Sequence, residues 1–141
     1  MSTDAIAQPQ ADRARDGAVP RTTGLLGYWL LLRTSRLIRQ GQFRSALQLV
    51  EKTPCRTPTR VLDPETVSAV LDAAILFSPR RPTCLHRSVV LVLLLRRYGI
   101  AARLVIGARR APFYAHAWVE VDGRPIGERK PVDEYSVLSS C

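Results

Sequence analysis

The chain is poor in the residues that metal, redox and phosphate chemistry most often uses. It has two histidines, His86 and His116, and three cysteines, Cys55, Cys84 and Cys141. The cysteines are widely spaced and form no C-x-x-C pair, which argues against a zinc ribbon or a thioredoxin-like motif. Their odd number fits a reducing compartment better than a disulfide scaffold. Cys84, His86 and His116 offer three ligands with a single C-x-H spacing, too sparse a pattern for a metal centre. No glycine-rich phosphate loop is present, so no cofactor is expected. Long apolar runs are also missing. The longest, 25–32 (broken by Gly27) and 89–95, fall far short of the ~20 residues that span a bilayer. The first twenty residues lack the apolar stretch of a secretory signal and contain Asp4, Asp12 and Asp16. Together these absences predict a soluble, cytoplasmic protein with no membrane partner.

Lysine is scarce too. Lys52 and Lys130 are the only two, against 19 arginines, and the formal net charge is +9. A balance this basic raises nucleic acid as a partner. A DNA-binding module tends to gather its arginines on one helix, whereas 17 of these are spread over the first 110 residues. Residues 115–141 carry a net charge of −2. This distribution disfavours nucleic acid. An apolar content of 46% over 141 residues supports one domain with one core.

Residues 1–23 lack an apolar period and are expected to form a disordered tail, leaving 24–141 as the domain. Residues 24–40 read as a helix with Leu26, Trp29, Leu30 and Leu37 inward and Arg33, Arg36 and Arg39 in water. Phe43, Ala46, Leu47 and Val50 mark a second helix, and 53–59, with Pro54 and Pro58, a linker. Asp63-Pro64-Glu65 is a helix start, with a cap, a proline at the first helical position and an acid at the positive end of the dipole. Residues 84–98 are apolar nearly all round, which predicts a central helix ending at Gly99. The period then shortens. Residues 100–107 and 115–121 read as strands, with His116, Trp118 and Glu120 on one face, and Asp122-Gly123 turns the chain into a strand over 124–128. Helices followed by an antiparallel sheet predict an α+β fold.

Cys84 falls at the start of the central helix, behind Thr83. Free N–H groups and the dipole there favour a thiolate and can bind an oxyanion. A cysteine at a helix N-terminus facing a strand-borne histidine is the pattern of a papain-like thiol site. By position alone the cysteine is equally a small buried hydrophobe. A cysteine–histidine pair needs a third group to orient the imidazole. Asp122 is six residues along the strand from His116, roughly 20 Å away at about 3.3 Å per residue. Glu128 depends on the turn. A two-residue turn at Asp122-Gly123 pairs Glu128 with Ala117 and points it away from His116. A three-residue loop, 121–123, pairs Glu120 with Arg124 and sets Glu128 opposite His116. The residues alone leave both registers open, and Glu128 reads equally as a solvated charge at a strand end; Asp122 and Asp133 are the other acids in question. Trp118, two residues from His116 on the same face, is a candidate to shield the ion pair from water or to wall the substrate cleft, and is otherwise an ordinary core aromatic. His86 reads as a packing residue, and Arg87 as the partner of a carboxylate within the fold.

The segments PTCLHRSVVLVLLLRRYGIAARLVIGARR and AHAWVEVDGRPIGE resemble the stand-alone lasso-peptide leader peptidases. These are cysteine proteases in the transglutaminase-like branch of the papain-like superfamily. The resemblance implies a helix bearing Cys84 as nucleophile, packed on a small antiparallel sheet that carries His116 as base. Glu128 takes the place where the family usually has an aspartate. The implied activity is removal of the leader from a ribosomally made precursor peptide. The implied partners are that precursor, a separate leader-recognition protein and an ATP-dependent macrocyclase, to which the ATP belongs. The arginines of the first helix could dock an acidic leader or partner. A non-catalytic binding module on the same scaffold, for peptide or nucleic acid, is the alternative, and an amidase or acyltransferase using the same residues is a third reading.

Overall fold

A computed structural model describes residues 18–58 and 61–141. Most of the expected tail, up to residue 17, lies outside the described residues. The first helix, α1 (Thr22–Arg39), starts two residues earlier than the sequence pattern suggests. Thr23 is buried, and its hydroxyl bonds that of Tyr98. The α1 face also differs from the expected stripe. Thr23, Gly27, Leu31 and Thr34 are buried, whereas Trp29 is 53% exposed. The cause is close helix packing. A Cβ on Gly27 would sit 3.2 Å from Leu71 and 3.4 Å from Leu94, so only a small residue lets the helices approach.

Helices α2 (Phe43–Lys52) and α3 (Pro64–Ile75) follow. The start of α3 is as expected: the Asp63 carboxylate accepts from the Thr66 N–H and hydroxyl, both at 2.8 Å, and Pro64 opens the helix. Helix α4 (Cys84–Arg97) is the centre of the fold. Every residue from Ser88 to Leu95 is buried, because α1, α2 and α3 cover one side of the helix and the sheet covers the other. Gly99, with φ +79°, reverses the chain at its end. Any Cβ there would strike Pro58, at 2.5 Å.

The sheet is antiparallel, in the order β3-β2-β1-β4. Its strands are β1 (Ala102–Arg109), β2 (Tyr114–Val121), β3 (Arg124–Pro125) and β4 (Ser136–Ser140). The architecture is the α+β arrangement that the order of elements predicts. Three details differ. β1 lies two residues later than expected, because Ile100 is taken up by the end of α4, its N–H bonding Leu95 O at 2.9 Å. β3 is two residues long rather than five. β4, a serine-bearing edge strand with every residue exposed, carries no apolar alternation that would announce it.

Among the described residues no helix is long and apolar enough to cross a membrane.

Candidate active site

Thr83, in extended conformation, leads into α4, and His86 closes the entry. Its Nδ1 accepts the Thr83 N–H at 3.3 Å and shares a 2.6 Å hydrogen bond with the Thr83 hydroxyl. Burial, and then the nearby charge of Arg39, push the His86 imidazole below its ordinary value of 6.5. His86 is therefore a neutral cap that holds the first turn. Its neighbour Cys84 is a free, half-buried cysteine at the first helical position. It opens onto a cleft of about 360 Å³ that His116 and Glu128 also line.

His116 stands on β2, two residues from the strand's start. Its ring is stacked on Trp118, with centroids 6.0 Å apart and planes 21° apart, and meets Tyr135 at 5.5 Å. Trp118 is only 2% exposed, does not line the cleft, and donates its Nε1–H to Glu120 Oε1 at 3.0 Å. The expectation that Trp118 forms part of the substrate wall is thus corrected: it backs the imidazole from within the core. Tyr114 and Tyr135 line the cleft in its place.

Glu128 accepts a hydrogen bond from His116 Nε2 at 2.9 Å, and their side chains are 12% and 18% exposed. An ionised carboxylate only accepts, so in the neutral imidazole Nε2 carries the proton and Nδ1 has the free lone pair. Of the two registers open to the ribbon, the structure takes the one that a plain strand could not use to bring Glu128 to His116. Val121 pairs with Arg124 and Glu120 with Pro125, which is the two-residue register. Asp122 and Gly123 both take positive φ, 51° and 76°, so two residues suffice to turn the ribbon. Glu120 consequently meets Arg103 on β1, at 2.8 Å, rather than Arg124.

In that register a continued strand would turn Glu128 away from His116. The strand does not continue. Ile126 makes the last ladder bond, to Val119 O at 2.9 Å, and Gly127 then takes φ +66°. A Cβ on Gly127 would lie 2.0 Å from Ser68 Oγ and 2.6 Å from Arg87 Nη2, so any other residue would have to displace both as well as adopt a left-handed backbone. The Gly127 N–H donates to both carboxylate oxygens of Glu65, at 3.1 and 3.2 Å. This bend, anchored on α3, breaks the alternation and returns Glu128 to the imidazole. Asp122 stays at the far end of the ribbon, and neither it nor Asp133 lines the cleft.

The sequence pattern marked neither Ser68 nor Asp72. With Glu65 they sit at i, i+3 and i+7, a polar stripe on one face of α3 that faces the cleft wall. Arg87 pairs with Asp72 at 2.7 Å, as its reading as a partner within the fold anticipates. Cys55 and Cys141 do not line the cleft. Among the described residues no cluster of three or more histidines, cysteines and acids is arranged to hold a metal ion.

A family model described as the transglutaminase-like superfamily matches residues 28–140, most of the chain. The chain belongs to the transglutaminase-like superfamily. This transglutaminase-like chain is also similar to the microcin J25-processing protein McjB of Escherichia coli. The two are 44% identical over 57 residues, covering 40% of this chain and 27% of McjB. The match thus spans about a quarter of that relative's length. No solved structure matches.

Proposed function

We infer that this protein is a cysteine protease that removes the leader from a ribosomally made lasso precursor peptide. The observation that carries the reading is the His116–Glu128 hydrogen bond in a cleft that Cys84 also lines. The similarity to a protein that processes microcin J25 supports the choice of substrate. Glu128 holds Nε2–H of His116, which leaves Nδ1 to take the proton of the Cys84 thiol. The sulfur then attacks the carbonyl carbon at the leader–core junction. The developing oxyanion is met by the backbone N–H of Cys84 at the unpaired start of α4. His116 returns its proton to the leaving amine, a thioester forms, and water, deprotonated by His116, releases the leader. The reaction needs no cofactor. The partners in this reading are the precursor, a separate leader-recognition protein and an ATP-dependent macrocyclase, in the cytoplasm.

The test is cleavage of a cognate lasso precursor peptide, with and without a leader-recognition protein, followed by mass spectrometry. The wild type is expected to release the leader and Cys84→Ala to release none. Cleavage that survives in Cys84→Ala overturns the reading. So does salt-sensitive binding of polyanions by a wild type that cleaves nothing, the behaviour of a binding module.

A further inference from the structure

Glu128 approaches His116 from a bend, and Arg87 holds that bend. Arg87 lies three residues beyond Cys84 on α4. Its Nε and Nη2 donate to Oδ1 and Oδ2 of Asp72 at 2.7 and 3.0 Å, a two-pronged contact that fixes the guanidinium plane. Nη2 also donates to the Ser68 hydroxyl at 2.8 Å and to the Gly127 carbonyl at 3.3 Å. Nη1 lies 4.0 Å from Glu128 Oε1, while the other oxygen, Oε2, receives the bond from His116. One carboxylate oxygen thus faces a fixed cation and the other faces the imidazole. The side chains of Arg87 and Glu128 are only 17% and 12% exposed, so water competes weakly for either. Burial alone would draw the guanidinium's pKa down, but Asp72, and after it Glu128 and Glu65, outweigh burial and raise it. The cation is permanent.

We propose that Arg87 is a positioning residue that sets the bend at 126–128 and the rotation of the Glu128 carboxylate, and through them the orientation of His116. The proposal rests on the reading of Cys84, His116 and Glu128 as the reacting site. Arg87 lines the cleft, but its Nε and Nη2 donate to protein acceptors and its Nη1 faces Glu128, so it acts through Glu128 rather than on the peptide.

The deciding measurement needs no substrate. A buried imidazole N–H bonded to a carboxylate gives a proton resonance far downfield in the NMR spectrum. The His116 resonance is assigned by its loss in His116→Ala. It is expected in the wild type, absent in Arg87→Met and weakened in Arg87→Lys, which keeps the charge but not the two-pronged geometry. Circular dichroism and the emission of buried Trp118 establish that each variant is folded. With precursor, Arg87→Met is expected to lose about a hundredfold in kcat, the scale of a small misplacement of reacting groups, with KM within about twofold. Arg87→Lys should fall between Arg87→Met and the wild type.

An arginine that merely braces the fold would lower the melting temperature and leave the resonance in place. That result, or a wild type without the resonance, overturns the proposal. If Arg87→Met does not fold, Asp72→Asn and Arg87→Lys decide, and unchanged resonances in both, once folded, also overturn it. A wild type that cleaves no precursor while its resonance depends on Arg87 as described removes the protease reading and leaves the positioning role standing.

Discussion

The two ends of the β2–β3 ribbon each turn on a glycine in the left-handed region, and the two glycines are not equivalent. Gly123, φ +76°, lies at the tip with nothing within 4 Å of where its Cβ would be. Gly127, φ +66°, lies where the ribbon ends, with Ser68 and Arg87 inside the space a Cβ would need. The first closes a hairpin and does not line the cleft. The second breaks the hairpin and sends Glu128 to His116. Two positions with nearly the same backbone angle therefore serve different levels of the molecule, and the difference lies entirely in what is packed around them.

Substitution of both glycines gives the largest expected contrast. Gly127→Ala combines left-handed strain with overpacking and should cost about 3 kcal/mol or more of stability, along with the precursor cleavage activity. Gly123→Ala meets only the backbone term, about 1 kcal/mol, and should cleave normally. Denaturant melts of the two variants measure the gap, and equal losses would show that crowding at Gly127 is relieved by movement of Ser68.

The acids at the two ends should separate as sharply in activity. Glu128→Ala is expected to lower kcat about a hundredfold, the lower range for general acid–base catalysis, while Asp122→Asn and Asp133→Asn stay within about twofold. A large loss in Asp122→Asn would mean that the carboxylate bonded to His116 is not the one that matters.

The smallest effect belongs to the face His116 shares with Glu120. Burial raises the Glu120 carboxyl, but hydrogen bonds from Trp118 and Arg103 and the charge of Arg103 outweigh it. The net value lies below the ordinary 4.5. A carboxyl with a depressed folded value stabilises the fold above 4.5 and loses that contribution as pH falls through the lower folded value. Wild type should therefore lose more melting temperature on acidification below 4.5 than Glu120→Gln does. Parallel curves would mean that the Arg103–Glu120 pair contributes nothing measurable.

Where a side chain's role follows from its own chemistry and its near neighbours, the sequence alone reveals it. The Asp63-Pro64-Glu65 start, the all-round apolar α4 and the Asp122-Gly123 turn are of that kind. Cys84 at a helix start and His116 on a strand are equally legible, because both follow from local period. The α1 face is not, because hydrophobicity marks Trp29 for the interior. The packing instead selects Gly27 and Thr34, which let helices approach. The register of β3 is not legible either, because the residues fit a two-residue and a three-residue turn alike and only the second sets a carboxylate directly across from the imidazole. The chain uses a bend instead, and the contacts that stabilise it, from Glu65, Ser68, Asp72 and Arg87, come from residues 40 to 62 positions away.

From the order of residues alone came the helices, the turn, the central core and the placement of a thiol at a helix start and an imidazole on a strand, since each depends on interactions within a few positions. Tertiary structure alone decided that Glu128 reaches His116 by way of a bend, that Trp118 is a backing rather than a wall, and that Arg87 is committed to that bend. Those outcomes depend on which distant groups occupy the same small volume. No period or spacing encodes that, because the groups become neighbours only when the chain closes on itself.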